Sequence, residues 1–100
     1  MLLTKSEIVN YLKEHKTEFF KKYSINSFGL FGSFARNQAN EESDIDLIYT
    51  LDEGKYLRYS DLLELENQLQ TYFKRKIELI NYRWFNPIIK YNAEKEIIYV

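Results

Sequence analysis

The chain has no cysteine, one proline, three glycines and a single histidine among its 100 residues. Without cysteine it can form neither disulfides nor thiolate metal sites. With so little proline and glycine, regular structure is expected to fill most of the sequence. No apolar run is long enough to span a bilayer, and the N-terminus lacks a signal-peptide pattern. A cytoplasmic protein without membrane contact is the expectation. An excess of positive charge is lacking too, since 14 Lys and Arg stand against 15 Asp and Glu, a net charge of −1. That balance argues against polynucleotide binding through a broad basic face. It leaves room for a single nucleotide whose charge is carried by a metal.

One hundred residues suit a single domain spanning positions 1–100. Aromatics are abundant, with nine Tyr and seven Phe. Most are expected in the core or singly on the surface, and a clustered minority would mark a patch for a partner or a base. Hydrophobic spacing predicts a helix from Ser6 to Lys22, with Thr4 or Ser6 as cap. A buried strand follows over Ser27 to Phe31, then one or two helical turns from Phe34 to Gln38 and a polar loop from Asn37 to Ser43. A second strand is predicted from Asp44 to Leu51, ended by Asp52-Glu53-Gly54. Leu57 to Lys74 is the clearest helix, with Leu62, Leu65, Leu69, Tyr72 and Phe73 on one side and Ser60 as cap or in the first turn. Lys76 to Asn81 is a third strand. Asn86-Pro87 starts a short helix ending near Asn92 or Lys95, and Ile97 to Val100 suits an edge strand. The order implies an α/β (α+β) fold, a small mixed sheet covered by helices. The first helix and the Ser60 to Lys74 helix are expected on one face, leaving the other free for a site.

The stretch from Gly32 to Asp46 carries the chemistry. Gly32-Ser33 follows a strand and opens a helical turn. Gly32 lets a ligand approach the backbone, the leading amides favour an anion such as phosphate, and the Ser33 hydroxyl adds a donor. Arg36, one turn on, offers a charge-assisted contact, although pairing with Glu41 or Glu42 is the plainer role. Ten residues separate Ser33 from Asp44-Ile45-Asp46. Strand positions two apart point the same way, so both carboxylates project from one face while Ile45 and Leu47 enter the other. Such a pair is tolerated where a divalent cation lies between, and oxygen-only ligands suit magnesium or manganese. Glu78 lies opposite Ile77 and Leu79 in its own strand and joins the cluster if the two strands neighbour in compatible register. Two metal ions held by Asp44, Asp46 and Glu78 would clamp the attacking and leaving oxygens of a phosphoryl displacement, with a triphosphate neutralising the surplus positive charge. His15, set among charged residues, reads as a surface residue. Lys74-Arg75-Lys76 reads as a solvated charge run, with reception of a triphosphate or an acidic partner as the alternative.

Gly32-Ser33-Phe34-Ala35-Arg36 followed by Ser43-Asp44-Ile45-Asp46-Leu47 resembles the signature of the DNA polymerase β-like nucleotidyltransferases. The short chain is similar to their minimal nucleotidyltransferase (MNT) branch. The motif covers Phe31 to Leu47, and the order of elements extends the likeness along the whole chain. The resemblance implies that Gly32 and Ser33 hold the triphosphate and that Asp44 and Asp46 bind metal. Glu78 falls where the family commonly has an Asp, and Asn37 where a Gly is common, a position that suits a left-handed backbone. It further implies transfer of AMP from ATP, with two Mg2+ ions, onto a tyrosine of a HEPN-domain toxin, a ribonuclease, in a toxin–antitoxin pair. Asp44 and Asp46 position the triphosphate, and Glu78 or Asp46 takes the acceptor proton. Two other functions fit the same sequence. One is a non-catalytic antitoxin that neutralises by contact through its aromatic surface. The other is transfer to a small molecule such as an aminoglycoside, which needs an acceptor pocket from a homo-oligomer or a further domain.

Overall fold

The computed structural model describes residues 3–100. Two helices open the chain, α1 (Lys5–Glu14) and α2 (Lys16–Tyr23), in place of the single helix predicted from Ser6 to Lys22. The break is at His15, whose backbone leaves the helical region (φ −101°, ψ 6°). Its ring Nδ1 donates to the Tyr11 carbonyl at 2.9 Å and its ring stacks on that of Tyr11, with centroids 4.1 Å apart. His15 is therefore a half-buried hinge between helices rather than a plain surface residue. The bend brings Phe19 and Tyr23 onto the core that Ile8, Tyr11 and Leu12 already cover. Thr4 caps α1 by accepting from the Glu7 amide at 3.2 Å.

Ser24, left-handed at φ 61°, stops α2 abruptly, so strand β1 (Ile25–Phe31) begins two residues before the predicted start. One helical turn, α3 (Gly32–Ala35), follows directly, and Asn37 takes the left-handed backbone anticipated for it (φ 58°). Strand β2 (Ile45–Leu51) starts one residue after Asp44, which sits at its threshold. Helix α4 (Tyr59–Phe73) has Arg58 at its N-cap without a side-chain cap, which leaves Ser60 in the first turn. Of its predicted apolar side, Leu65, Leu69 and Phe73 are buried. Tyr72 is 61% exposed, resting its ring against Tyr11 from outside.

Strand β3 (Ile77–Asn81) leads into a 3-10 turn, Tyr82–Trp84, that the sequence pattern did not suggest. Helix α5 (Pro87–Ala93) starts as predicted, with Pro87 in its first turn and the Asn86 side chain accepting from the Ile88 amide at 2.9 Å. Replacing Asn86 with alanine is expected to cost about 1 kcal/mol, read as a lower urea midpoint at unchanged slope. A short strand, β4 (Ile98–Tyr99), completes the sheet at its edge.

The sheet order is β3-β2-β1-β4. β1 runs antiparallel to both β2 and β4, and β2 runs parallel to β3. A parallel pair needs a crossover connection, and α4 supplies it. Alternation along β1 and β2 divides the molecule in two. Phe28, Leu30, Ile45, Leu47 and Tyr49 face α1, α2 and α4 in the main core. Phe31 and Ile48 face the other way and pack with Phe85 and Ala93. The second face is thus not bare, as the sequence suggested: the 3-10 turn and α5 cover part of it. The uncovered part lies at the start of β2 and β3. Among the described residues, no helix is long and apolar enough to cross a membrane.

Candidate active site

The antiparallel register sets Phe31 opposite Asp46, so the Gly32 bend lies beside the Asp46 side chain. Gly32 has φ +76°, and a β-carbon there would fall 2.2 Å from Asp46 Oδ2. Only glycine admits both that backbone and that contact. The single turn of α3 leaves its leading N–H groups without intrahelical acceptors, open to an anion. On the other side of β2, the parallel register sets Asp46 beside Glu78. Neighbouring strands are about 4.8 Å apart, within reach of two acidic side chains on one face. Asp46 is thus flanked by the glycine bend and by Glu78.

Electrostatics follow from that placement. The Asp46 carboxyl is pushed up to about 7, first by burial, then by its hydrogen bond with Glu78, then by the negative charges of Glu78 and Asp44. Arg36 pulls in the opposite direction but does not offset them. Lifted to about 7, the Asp46 carboxyl keeps its proton well above the ordinary carboxylate range unless a cation takes its place. Among the described residues, no three acidic or histidine side chains stand in a ready-made metal cage. Their mutual repulsion opposes closer approach. The donor set is nevertheless all oxygen and charge-crowded, with Asp44 and Asp46 half-buried and Glu78 exposed, which fits a hard divalent cation.

Arg36 pairs with Glu96 at 3.2 Å and donates from Nε to Gln38 at 3.1 Å, so its ion-pair partner is neither Glu41 nor Glu42. Both members of the pair are well exposed, and such a bridge contributes little to stability. Next to the bend lies a cavity of about 350 Å³ whose walls include Phe31, Gly32, Arg36, Ile89 and Asn92. Sequence reasoning missed the contribution of α5 to this wall. The only signal for it was the Asn86-Pro87 start, which gives a helix but not its docking place. A cavity of about 420 Å³ opens at the far end of β2 and β3, between Asp52 and Trp84, away from the acidic cluster. The Lys74-Arg75-Lys76 run is not simply solvated: Arg75 Nη1 donates to the carbonyls of Asn40 and Ser43 at 2.8 and 2.9 Å.

A glycine bend set against carboxylates on adjoining strands is a layout that suits an enzyme acting on a phosphate chain. Residues 7–100 match the family described as "Polymerase beta, Nucleotidyltransferase". The chain belongs to that nucleotidyltransferase family, as its resemblance around Gly32 to Leu47 implied. It is 41% identical over 98 residues to "Putative protein adenylyltransferase MJ1379" of Methanocaldococcus jannaschii, covering 97% of this chain and 98% of that one. Among solved structures, "Structure of putative minimal nucleotidyltransferase" superposes with a TM-score of 0.73 at 23% identity, over 96% of this chain and 95% of that one. "Crystal structure of the toxin-antitoxin with AMP-PNP" superposes with a TM-score of 0.62 at 20% identity, over 87% of this chain. The chain spans 64% of that protein's length. At these identities the two structures establish the fold, a mixed sheet with helices on both faces.

Proposed function

We propose that this chain transfers AMP from ATP to a hydroxyl group of a separate protein. The observation that carries the reading is Asp46, held between the Gly32 bend and Glu78 on neighbouring strands. The amides after Gly32, with the hydroxyl of Ser33 and the guanidinium of Arg36, bind the triphosphate. The cavity beside Gly32 falls in the size range of small-ligand pockets and takes the nucleoside. Asp44, Asp46 and Glu78 would hold magnesium, in all two ions. When bound, these cations neutralise the phosphate chain and stabilise charge on the departing pyrophosphate.

The acceptor oxygen attacks the α-phosphorus, and a new P–O bond forms. The bond from that phosphorus to the β-bridging oxygen breaks, and pyrophosphate leaves with the electron pair. The acceptor proton passes to Glu78, the more exposed carboxylate and the one open to an incoming hydroxyl. Alignment of the two oxygens and electrostatic stabilisation supply the acceleration.

The acceptor we assign is a tyrosine of a HEPN-type toxin, which makes this chain the antitoxin. Support comes from the adenylyltransferase name of the Methanocaldococcus relative and from the shared fold of the AMP-PNP-bound toxin–antitoxin. The test uses ATP labelled at either the α- or the γ-phosphate, with Mg2+ and a candidate HEPN-type toxin. Label from the α-position is expected on the toxin, and none from the γ-position. Transfer of γ-label, or neutralisation of the toxin without any labelling, would overturn the reading. The second outcome would favour contact through the exposed stripe Trp84, Ile88 and Tyr91.

A further inference from the structure

Arg75 bridges the two halves of the site without belonging to either. Helix α4 ends at Phe73 and is capped by Lys74, left-handed at φ 56°, which turns the chain so that Arg75 reaches back to the loop before β2. Its Nη1 donates to the Asn40 carbonyl at 2.8 Å and the Ser43 carbonyl at 2.9 Å. Its guanidinium carbon lies 5.1 Å from the centre of the Phe34 ring. Phe34 follows Ser33 in the phosphate-gripping turn and is buried in the main core. Ser43 precedes Asp44. One side chain therefore touches the residue after the serine and the residue before the first aspartate.

The loop it holds has little else to fix it. The Asn40 and Ser43 side chains bond within the loop: Asn40 Oδ1 accepts from the Glu42 amide at 2.8 Å, and Ser43 Oγ accepts from the Asn40 amide at 2.9 Å. These contacts shape the loop but do not anchor it. Residues 40–42 are exposed and lie outside any regular element. Asp44 itself is outside β2, and the ladder takes hold only at Ile45, whose amide donates to the Lys76 carbonyl at 2.9 Å. The position of Asp44 depends on what holds Ser43.

We infer that Arg75 is a positioning residue: it fixes Asp44 relative to the Gly32-Ser33 turn and so sets the affinity of the acidic cluster for its cation. The inference rests on the reading of Asp44 as a metal ligand given above. A planar guanidinium suits the task, because one nitrogen supplies a hydrogen to each carbonyl while the flat face covers the Phe34 ring.

The test compares Arg75→Met with Arg75→Lys in the full chain, without nucleotide. In the Met variant, amide exchange at Glu42, Ser43 and Ile45 is expected to accelerate about tenfold, with Leu30 and Leu47 in the core unchanged. The Mn2+ concentration that half-saturates the protein, read by electron paramagnetic resonance of free Mn2+, is expected to rise at least about tenfold. Lys keeps a donor and the charge and is expected to restore most of both. Unchanged exchange in the loop would overturn the inference, as would faster exchange across the whole core, or a loosened loop with unaltered Mn2+ binding. Neither measurement needs an acceptor, so a failure to find AMP transfer would sink the proposed reaction while these readouts still decide the role of Arg75.

Discussion

Asp46→Asn is expected to lower AMP transfer roughly a thousandfold while making the cation-free protein more stable at neutral pH. The two effects have one cause. Asp46 is a half-buried acid beside Glu78 and near Asp44, and its carboxyl is lifted to about 7. The folded chain therefore holds a proton that the unfolded chain releases near the ordinary carboxylate range. Between those two points the folded state binds more protons, so stability falls as pH rises from about 4 to about 7 and levels off above. An amide at position 46 removes that dependence and keeps a hydrogen-bond donor for Glu78. It also removes a negative charge from the cation site, which is why activity is lost. In the unsubstituted chain, metal must displace the retained proton, so Mg2+ affinity is expected to climb as pH rises through about 7. Thermal melts with EDTA across this range, with α-labelled ATP assays beside them, check both halves. A variant that loses activity and also loses stability at pH 7 would show that Asp46 serves the fold rather than the cation.

Gly32→Ala is expected to disable the site more completely than its size suggests. The left-handed backbone alone costs a non-glycine residue about 1–2 kcal/mol. The larger effect is steric, since the added carbon would lie 2.2 Å from Asp46 Oδ2. Something must move. Asp46 is in the ladder between Phe31 and Glu78, so either its side chain rotates away from the cation site or the Gly32-Ser33 turn shifts from the triphosphate. Transfer is expected to fall on the order of a hundredfold for a displacement near 1 Å, with far-UV circular dichroism unchanged. Full activity in the alanine variant would mean that the bend and Asp46 do not share a ligand.

Much of this was legible in the residues. Gly32-Ser33, the ten-residue interval and Asp44-Ile45-Asp46 mark out the candidate site, because a close backbone approach needs glycine and neighbouring carboxylates suit a cation. The Asn86-Pro87 start followed from local chemistry alone, and the left-handed Asn37 from its place in the family signature, where a Gly is common. The break at His15 was not legible, since it depends on a ring–backbone contact that helical spacing does not encode. Arg75 was read as part of a solvated run because its acceptors are carbonyls more than thirty positions away in the chain.

The sequence by itself determined the residue types and their faces: period-two alternation put Asp46 and Glu78 on the sides of their strands opposite the main core. Tertiary structure decided their partners. Parallel pairing of β2 with β3 brought Asp46 to Glu78, antiparallel pairing with β1 brought it to Gly32, and the end of α4 delivered Arg75 to the loop before Asp44. The physical reason is that alternation is a local property of the extended backbone, whereas register and neighbour order depend on packing between segments far apart in the chain.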